Sequence, residues 1–147
     1  MKRLRLSSEA AAVIRKESAA AHPREACGLL VGTSKGETLD ALEAAACRNI
    51  AEDPRRFELH PEDFLRTELQ AASRNLRVLG AWHSHPDAPA TPSDADKRGA
   101  DPAWVHVIAG TRGPCVSSIR AWNFAAPSQI EVSLTVQAED AADRPTR

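Results

Sequence analysis

The sequence has no block of like charge, no long apolar run and no cysteine pairing pattern, and each absence removes a class of function. Nineteen Lys and Arg stand against twenty Asp and Glu among 147 residues, for a formal charge of −1. Electrostatics therefore gives no footprint for nucleic acid or an acidic membrane. No stretch is apolar for long enough to cross a bilayer. The opening MKRLRLSSEAAAVIRKESAAA is basic like a signal peptide, but Ser7, Ser8, Glu9, Arg15, Lys16 and Glu17 break the apolar run a signal needs, so none is expected. Cys27, Cys47 and Cys115 are odd in number and scattered. They suggest neither a disulfide framework nor a C-x-x-C zinc or redox pair, and a reducing, cytoplasmic compartment is expected. The zinc signature H-E-x-x-H is missing, as is H-x-E combined with P-C-x-x-C.

What is present fits one mixed α/β domain with no internal repeat or linker. Leu4 and Leu6 alternate as in a short strand; Ser7 or Ser8 can cap a helix running to about Ala21, with Ala12, Val13 and Ile14 on its buried stripe. His22-Pro23 ends it. ACGLLVG reads as a strand buried on both faces, and Gly36 turns the chain into another over Thr38–Cys47. After the short Phe57–Leu59 piece, Pro61 suits the first turn of a helix carrying Phe64, Leu65, Leu69 and Ala72 at helical spacing. Arg77–Trp82, Ala103–Ala109, Val116–Phe124 and Ile130–Val136 are further strands, the last three forming antiparallel hairpins. Residues 137–147 have little to bury and are expected to form a mobile tail beyond a domain of residues 1–136.

The chemistry concentrates in HSHPDAPATPSDAD, residues 83–96. Two residues apart on a strand, His83 and His85 point to the same face and can converge. Pro86, Pro89 and Pro92 stiffen the connection that follows. Ser93 and Asp96 have the S-x-x-D spacing of a helix N-terminus, which accounts for both residues with no metal at all. A carboxylate held in a first helical turn also completes a set of two nitrogens and one oxygen, which suits zinc with an open fourth position.

The joint pattern H-S-H-P, seven residues from Pro86 to Pro92, then S-x-x-D resembles the signature of the JAMM (MPN-plus) zinc metallopeptidase family. PREACGLLVG is similar to the family segment that carries a catalytic glutamate, here Glu25; RNIAEDPRRFELHPEDF resembles the family's Asn-to-Phe-to-Pro connection, and WNF falls where members have an apolar strand. The resemblance implies a mixed sheet flanked by helices, a cytidine-deaminase-like sandwich. It implies one Zn2+ per chain held by His83, His85 and Asp96, Glu25 as general base, and Ser93 polarising the scissile carbonyl. Among relatives the chain looks like the short bacterial type acting on the C-terminal glycine of a ubiquitin-like sulfur-carrier protein, for example releasing cysteine from it. The short path from Asp96 to Trp104 leaves little room for an insertion of the kind seen in relatives that cut ubiquitin chains. Two other readings stay open: a catalytically silent MPN-type scaffold, and a zinc hydrolase of small amides or peptides. Oligomeric state is left open.

Other residues have ordinary roles. Ser84 is expected to be a spacer facing away from the metal, Cys27 a packing residue, and Asp87 and Asp94 solvated charges. His22 and His60 precede prolines at element boundaries, and His106 alternates with Val105 and Val107 on a strand. Trp82 packs in the core or behind the ligands, and Trp104 and Trp122 fill the core.

Overall fold

The computed structural model describes residues 3–125 and 129–138. Its elements follow the order β1 (Arg3–Leu6), α1 (Ser8–Ala21), β2 (Cys27–Lys35), β3 (Thr38–Cys47), α2 (Pro61–Ser73), β4 (Arg77–His85), α3 (Asp94–Gly99), β5 (Val105–Arg112), β6 (Cys115–Asn123) and β7 (Ile130–Val136). The sheet is mixed, as expected, but it closes. In the order β1-β3-β2-β4-β5-β6-β7, the short β1 runs parallel to both β3 and β7 and seals a barrel. Closure was not expected, because a four-residue strand carries no sequence signal for pairing on both sides. The late hairpins β5-β6 and β6-β7 are antiparallel, and the β4-β5 connection is parallel.

One apolar cluster joins the inner faces of the strands to α1 and includes Leu4, Leu6, Ala10, Ile14, Leu30, Trp82, Val105, Val107 and Val132. Ser7 caps α1 by accepting the Ala10 N–H at 3.0 Å, and its hydroxyl donates to the Leu42 carbonyl at 2.7 Å. Trp82 lies in this core, its indole N–H donating to Ala45 O at 3.2 Å.

Two stripes differ from the sequence expectation. On α1 the buried residues are Ala10, Ala11, Ile14 and Ser18, whereas Ala12 is exposed. Three consecutive positions cannot all face one side of a 3.6-residue helix. On α2, Leu65 and Leu69 are 55% and 62% exposed, while Asp63 and Ala71 are buried. Asp63 turns inward because Arg48 pairs with it through its guanidinium and its backbone N–H, so the buried side of α2 is the one opposite Leu65 and Leu69.

The extra residues of β4 beyond Trp82 put His83 and His85 inside a ladder strand, paired with Ile108 and Gly110 of β5. Beyond β7, the Gln137 N–H donates to Leu6 O at 2.8 Å. Of the expected mobile tail, residues 139–147 lie outside the described residues.

Candidate metal centre

Rigid backbone sets the two imidazoles. With His83 and His85 on one face of β4, their Nε2 atoms approach to 3.1 Å. His85 Nδ1 lies 3.0 Å from Pro89 O; a carbonyl only accepts, so Nδ1 carries a proton, and Nε2 is the atom turned toward His83 and Asp96. The proline-stiffened loop thereby orients the ring of the histidine that begins it. Phe57 stacks on His83 at a centroid distance of 4.4 Å and holds that ring in plane.

α3 brings the carboxylate. Ser93 Oγ accepts the Asp96 N–H at 3.1 Å and Asp96 Oδ2 accepts the Ser93 N–H at 2.9 Å, a full capping box. Asp96 nevertheless also faces the histidines, with Oδ1 3.2 Å from His83 Nε2 and Oδ2 2.9 Å from His85 Nε2. The cap and the convergence are the same geometry, because the cap's rigidity aims the carboxylate. Among the described residues, His83, His85 and Asp96 form the group able to share an ion, each offering an atom within 4.8 Å of the others.

The donor set fits zinc. Ligand bonds of about 2.0–2.1 Å at tetrahedral angles place neighbouring ligand atoms roughly 3.3 Å apart, close to the separations of 2.9–3.2 Å found here. Two imidazole nitrogens aimed at each other satisfy one another only if one is protonated, and a shared cation relieves that conflict. Burial alone would raise the Asp96 carboxyl, yet hydrogen bonds from His83, His85 and the Ser93 N–H hold it well below the usual carboxylate range. Burial pushes His83 down, toward the neutral form that a ligand requires.

Glu25 sits between α1 and β2 and is buried. Its Oε1 has no hydrogen-bond partner. Desolvation pushes its pKa up to about 8, opposed by His85 and reinforced by Asp96, so both metal-site residues are within its electrostatic reach. A buried acid with an orphaned oxygen beside three convergent ligands is placed to accept a hydrogen bond from a small polar molecule bound there.

Several residues around the site do more than the sequence suggested. Ser84 faces away from the site, as alternation predicts, but it is more than a spacer: its Oγ accepts the Ala26 N–H at 2.8 Å and its own N–H donates to Ala26 O at 3.0 Å. It locks the residue after Glu25 to the strand of the histidines. Asn49 donates to the carbonyls of Glu25 and Arg56 and accepts the N–H groups of Ala51 and Glu58, tying the Phe57 segment to Glu25. The Asn-to-Phe-to-Pro connection is therefore a hydrogen-bonded clasp. Asp87 is not merely solvated. It accepts the Gly113 N–H at 2.6 Å, pairs with His22 at 2.9 Å, and donates its own N–H to Thr111 Oγ1 at 3.1 Å. Asp94 remains 87% exposed. Trp122 holds the loop by donating to Ala90 O at 3.0 Å. Trp104 is half-buried and stacks on Phe64, a correction to its expected place in the core that arises because it precedes β5 and faces a cavity.

Ser84→Ala is expected to leave the buried Ala26 N–H unpartnered, costing about 1–3 kcal/mol. The arrangement of His83, His85 and Asp96 should be kept, so that stability falls while the capacity to hold a metal does not, a split read by denaturant melts and metal titration. At Gly110 a Cβ would lie 2.7 Å from Ala88 O and 2.8 Å from Ala90 N. Gly110→Ala should therefore displace the loop that holds Pro89 O against His85 and weaken metal binding at the three convergent side chains about 10- to 100-fold, measurable by chelator competition.

A mixed barrel presenting two strand histidines, one helix-capping aspartate and a buried acid is consistent with a protein that carries a metal site. The chain belongs to the family of prokaryotic homologs of the JAB domain, which matches residues 7–125. It is 33% identical over 101 residues to a desampylase of Haloferax volcanii, covering 67% of this chain and 71% of that protein. It is 31% identical over 116 residues to a desampylase of Pyrococcus furiosus, covering 77% and 76%. Its fold is similar to the solution structure of a protein from Desulfitobacterium hafniense, with a TM-score of 0.85 at 23% identity over 98% and 99% of the two chains.

Proposed function

We propose that this chain is a JAMM-type zinc metallopeptidase, hydrolysing the amide that follows the C-terminal glycine of a ubiquitin-like or sulfur-carrier protein. Release of cysteine from such a carrier is one example. The observation that carries the reading is the convergence of His83, His85 and Asp96, with the buried Glu25, whose Oε1 is unpartnered, in electrostatic reach of His85 and Asp96, and the desampylase relatives support the substrate class. The proposed catalytic domain is residues 1–136, working in the cytoplasm, and the deaminase-like layering belongs to the same reading, supported by the mixed sheet.

In this mechanism His83, His85 and Asp96 would hold one zinc ion, which would supply Lewis-acid polarisation and acidify water toward neutral pH. Glu25 in its carboxylate form, favoured by nearby positive charge, takes a proton from the attacking water and returns it to the departing amine as the C–N bond breaks. Ser93 Oγ accepts from Asp96 N–H and so still has its own O–H to donate to the developing oxyanion.

The test is to incubate the zinc-loaded protein with a carrier extended beyond its terminal Gly-Gly and weigh the products. Cleavage after the glycine pair, lost on chelation and restored by zinc, is the expected result. A folded preparation that refuses zinc would return the chain to the scaffold reading, and equal cleavage of unrelated short peptides would favour a small-amide hydrolase.

A further inference from the structure

The residue after Glu25 is tied to the strand of the histidines, the Ala26 N–H donating to Ser84 Oγ at 2.8 Å and the Ser84 N–H to Ala26 O at 3.0 Å. On the other side of Glu25, His22 makes a second tie to the same stretch of chain. Its Nε2 lies 2.9 Å from Oδ2 of Asp87, just beyond His85. The Gly113 N–H, and then His22, hold the Asp87 carboxyl below the usual carboxylate range. An ionised carboxylate only accepts, so His22 Nε2 carries the proton. The two ties bracket both functional side chains: His22 and Ala26 flank Glu25, and Ser84 and Asp87 flank His85. One tie leaves a segment free to pivot, whereas two fix its direction. The bonds from Arg24 to Ala51 O and from Asn49 to Glu25 O run instead to the 49–51 segment.

Both ends of the second tie are anchored. Asp87 sits at φ 55° in the turn that the Ala88 N–H closes on His85 O at 3.3 Å. Its carboxylate accepts the Gly113 N–H at 2.6 Å, and its own N–H donates to Oγ1 of the buried Thr111 at 3.1 Å. His22 ends α1 with its N–H on Ser18 O at 3.2 Å, and the Arg24 N–H folds back to Ala21 O at 2.9 Å.

We propose that His22 and Asp87 are positioning residues for the proposed hydrolysis, setting the direction of the Glu25 carboxylate relative to His85. The inference rests on the general-base role of Glu25. Asp87 is 59% exposed, and an exposed ion pair adds little to global stability. A reacting group displaced by about 1 Å, by contrast, can lose roughly a hundredfold in rate. The pair is therefore expected to act on turnover more than on melting.

Amide hydrogen exchange on the protein as purified reads the tie without turnover. His22→Ala is expected to speed exchange of the Ala26 and Ser84 N–H groups up to about fivefold, the local opening that loss of one such pair allows. His22→Gln keeps an N–H donor and should stay near the parent. Unchanged exchange at both amides overturns the proposal. Turnover is then measured on a carrier extended beyond Gly-Gly. For His22→Ala, kcat should fall about tenfold with KM and zinc content held, and His22→Gln should recover most of the loss. In a Glu25→Gln background the same change should cost nothing further, because the pair acts through that carboxylate. An equal loss in both backgrounds, or a rise in KM alone, overturns the positioning role and leaves the hydrolase reading standing. A parent that cleaves no carrier counts against the hydrolase reading, while faster Ala26 exchange in His22→Ala still supports the tie that orders the Glu25 segment.

Discussion

Glu25→Gln is expected to retain about one zinc per chain while losing roughly a hundred- to ten-thousand-fold in turnover, the usual contribution of a general base. Glutamine matches the shape of glutamate, and Glu25 is not one of the three convergent side chains, so the set proposed to hold the ion is left alone and proton transfer is lost. Metal analysis beside initial rates separates the two effects; full activity would remove Glu25 from the mechanism.

The same substitution has a stability signature in the metal-free protein. The folded-state pKa of Glu25 is raised from 4.5 to about 8 by burial. Between those values the folded chain binds more protons than the unfolded one, so stability falls as pH rises through that window. Glu25→Gln should flatten this slope and make the metal-free protein more stable near pH 8, on the order of 2 kcal/mol after discounting residual solvent screening. Denaturant melts at pH 5 and pH 8 measure it, and a slope unchanged by the substitution would show that Glu25 ionises normally in the fold.

Asp96→Asn should separate the two jobs of one side chain. An amide oxygen can still accept the Ser93 N–H, so the cap of α3 survives, but the charge that opposes two imidazoles is gone. Zinc affinity should fall by at least about a hundred-fold, beyond the loss typical of an outer partner, and turnover should fall with it. The buried His83 also loses the carboxylate that lies 3.2 Å from its Nε2. Chelator competition reads the affinity and circular dichroism the fold. If the variant held zinc as firmly as the parent, Asp96 would be a cap alone.

Local patterns explain much of the architecture. Strand alternation placed His83 and His85 on one face, Ser7 and Pro61 marked helix starts where α1 and α2 begin, and the S-x-x-D spacing anticipated the capping box of α3. Helical spacing misled where burial depended on a distant partner: Leu65 and Leu69 face solvent because Asp63, drawn in by Arg48, occupies the inner side of α2. Trp104 was expected in the core, yet its place before β5 sets it at a cavity beside His83 and Asp96.

By itself, the sequence determined the candidate donor set and its spacing, because residues two apart on a strand and three apart in a first helical turn have directions fixed by local geometry. Only the tertiary structure decided that α3 folds back until Asp96 meets both imidazoles, that Asn49 and Ser84 bind the Glu25 segment to β4, and that β1 closes the sheet. At the site these contacts join residues between 11 and 58 positions apart, and the closing β1–β7 pairs join Arg3 to Ser133. Their formation depends on loop closure and the packing of the whole barrel, which no short window of residues encodes.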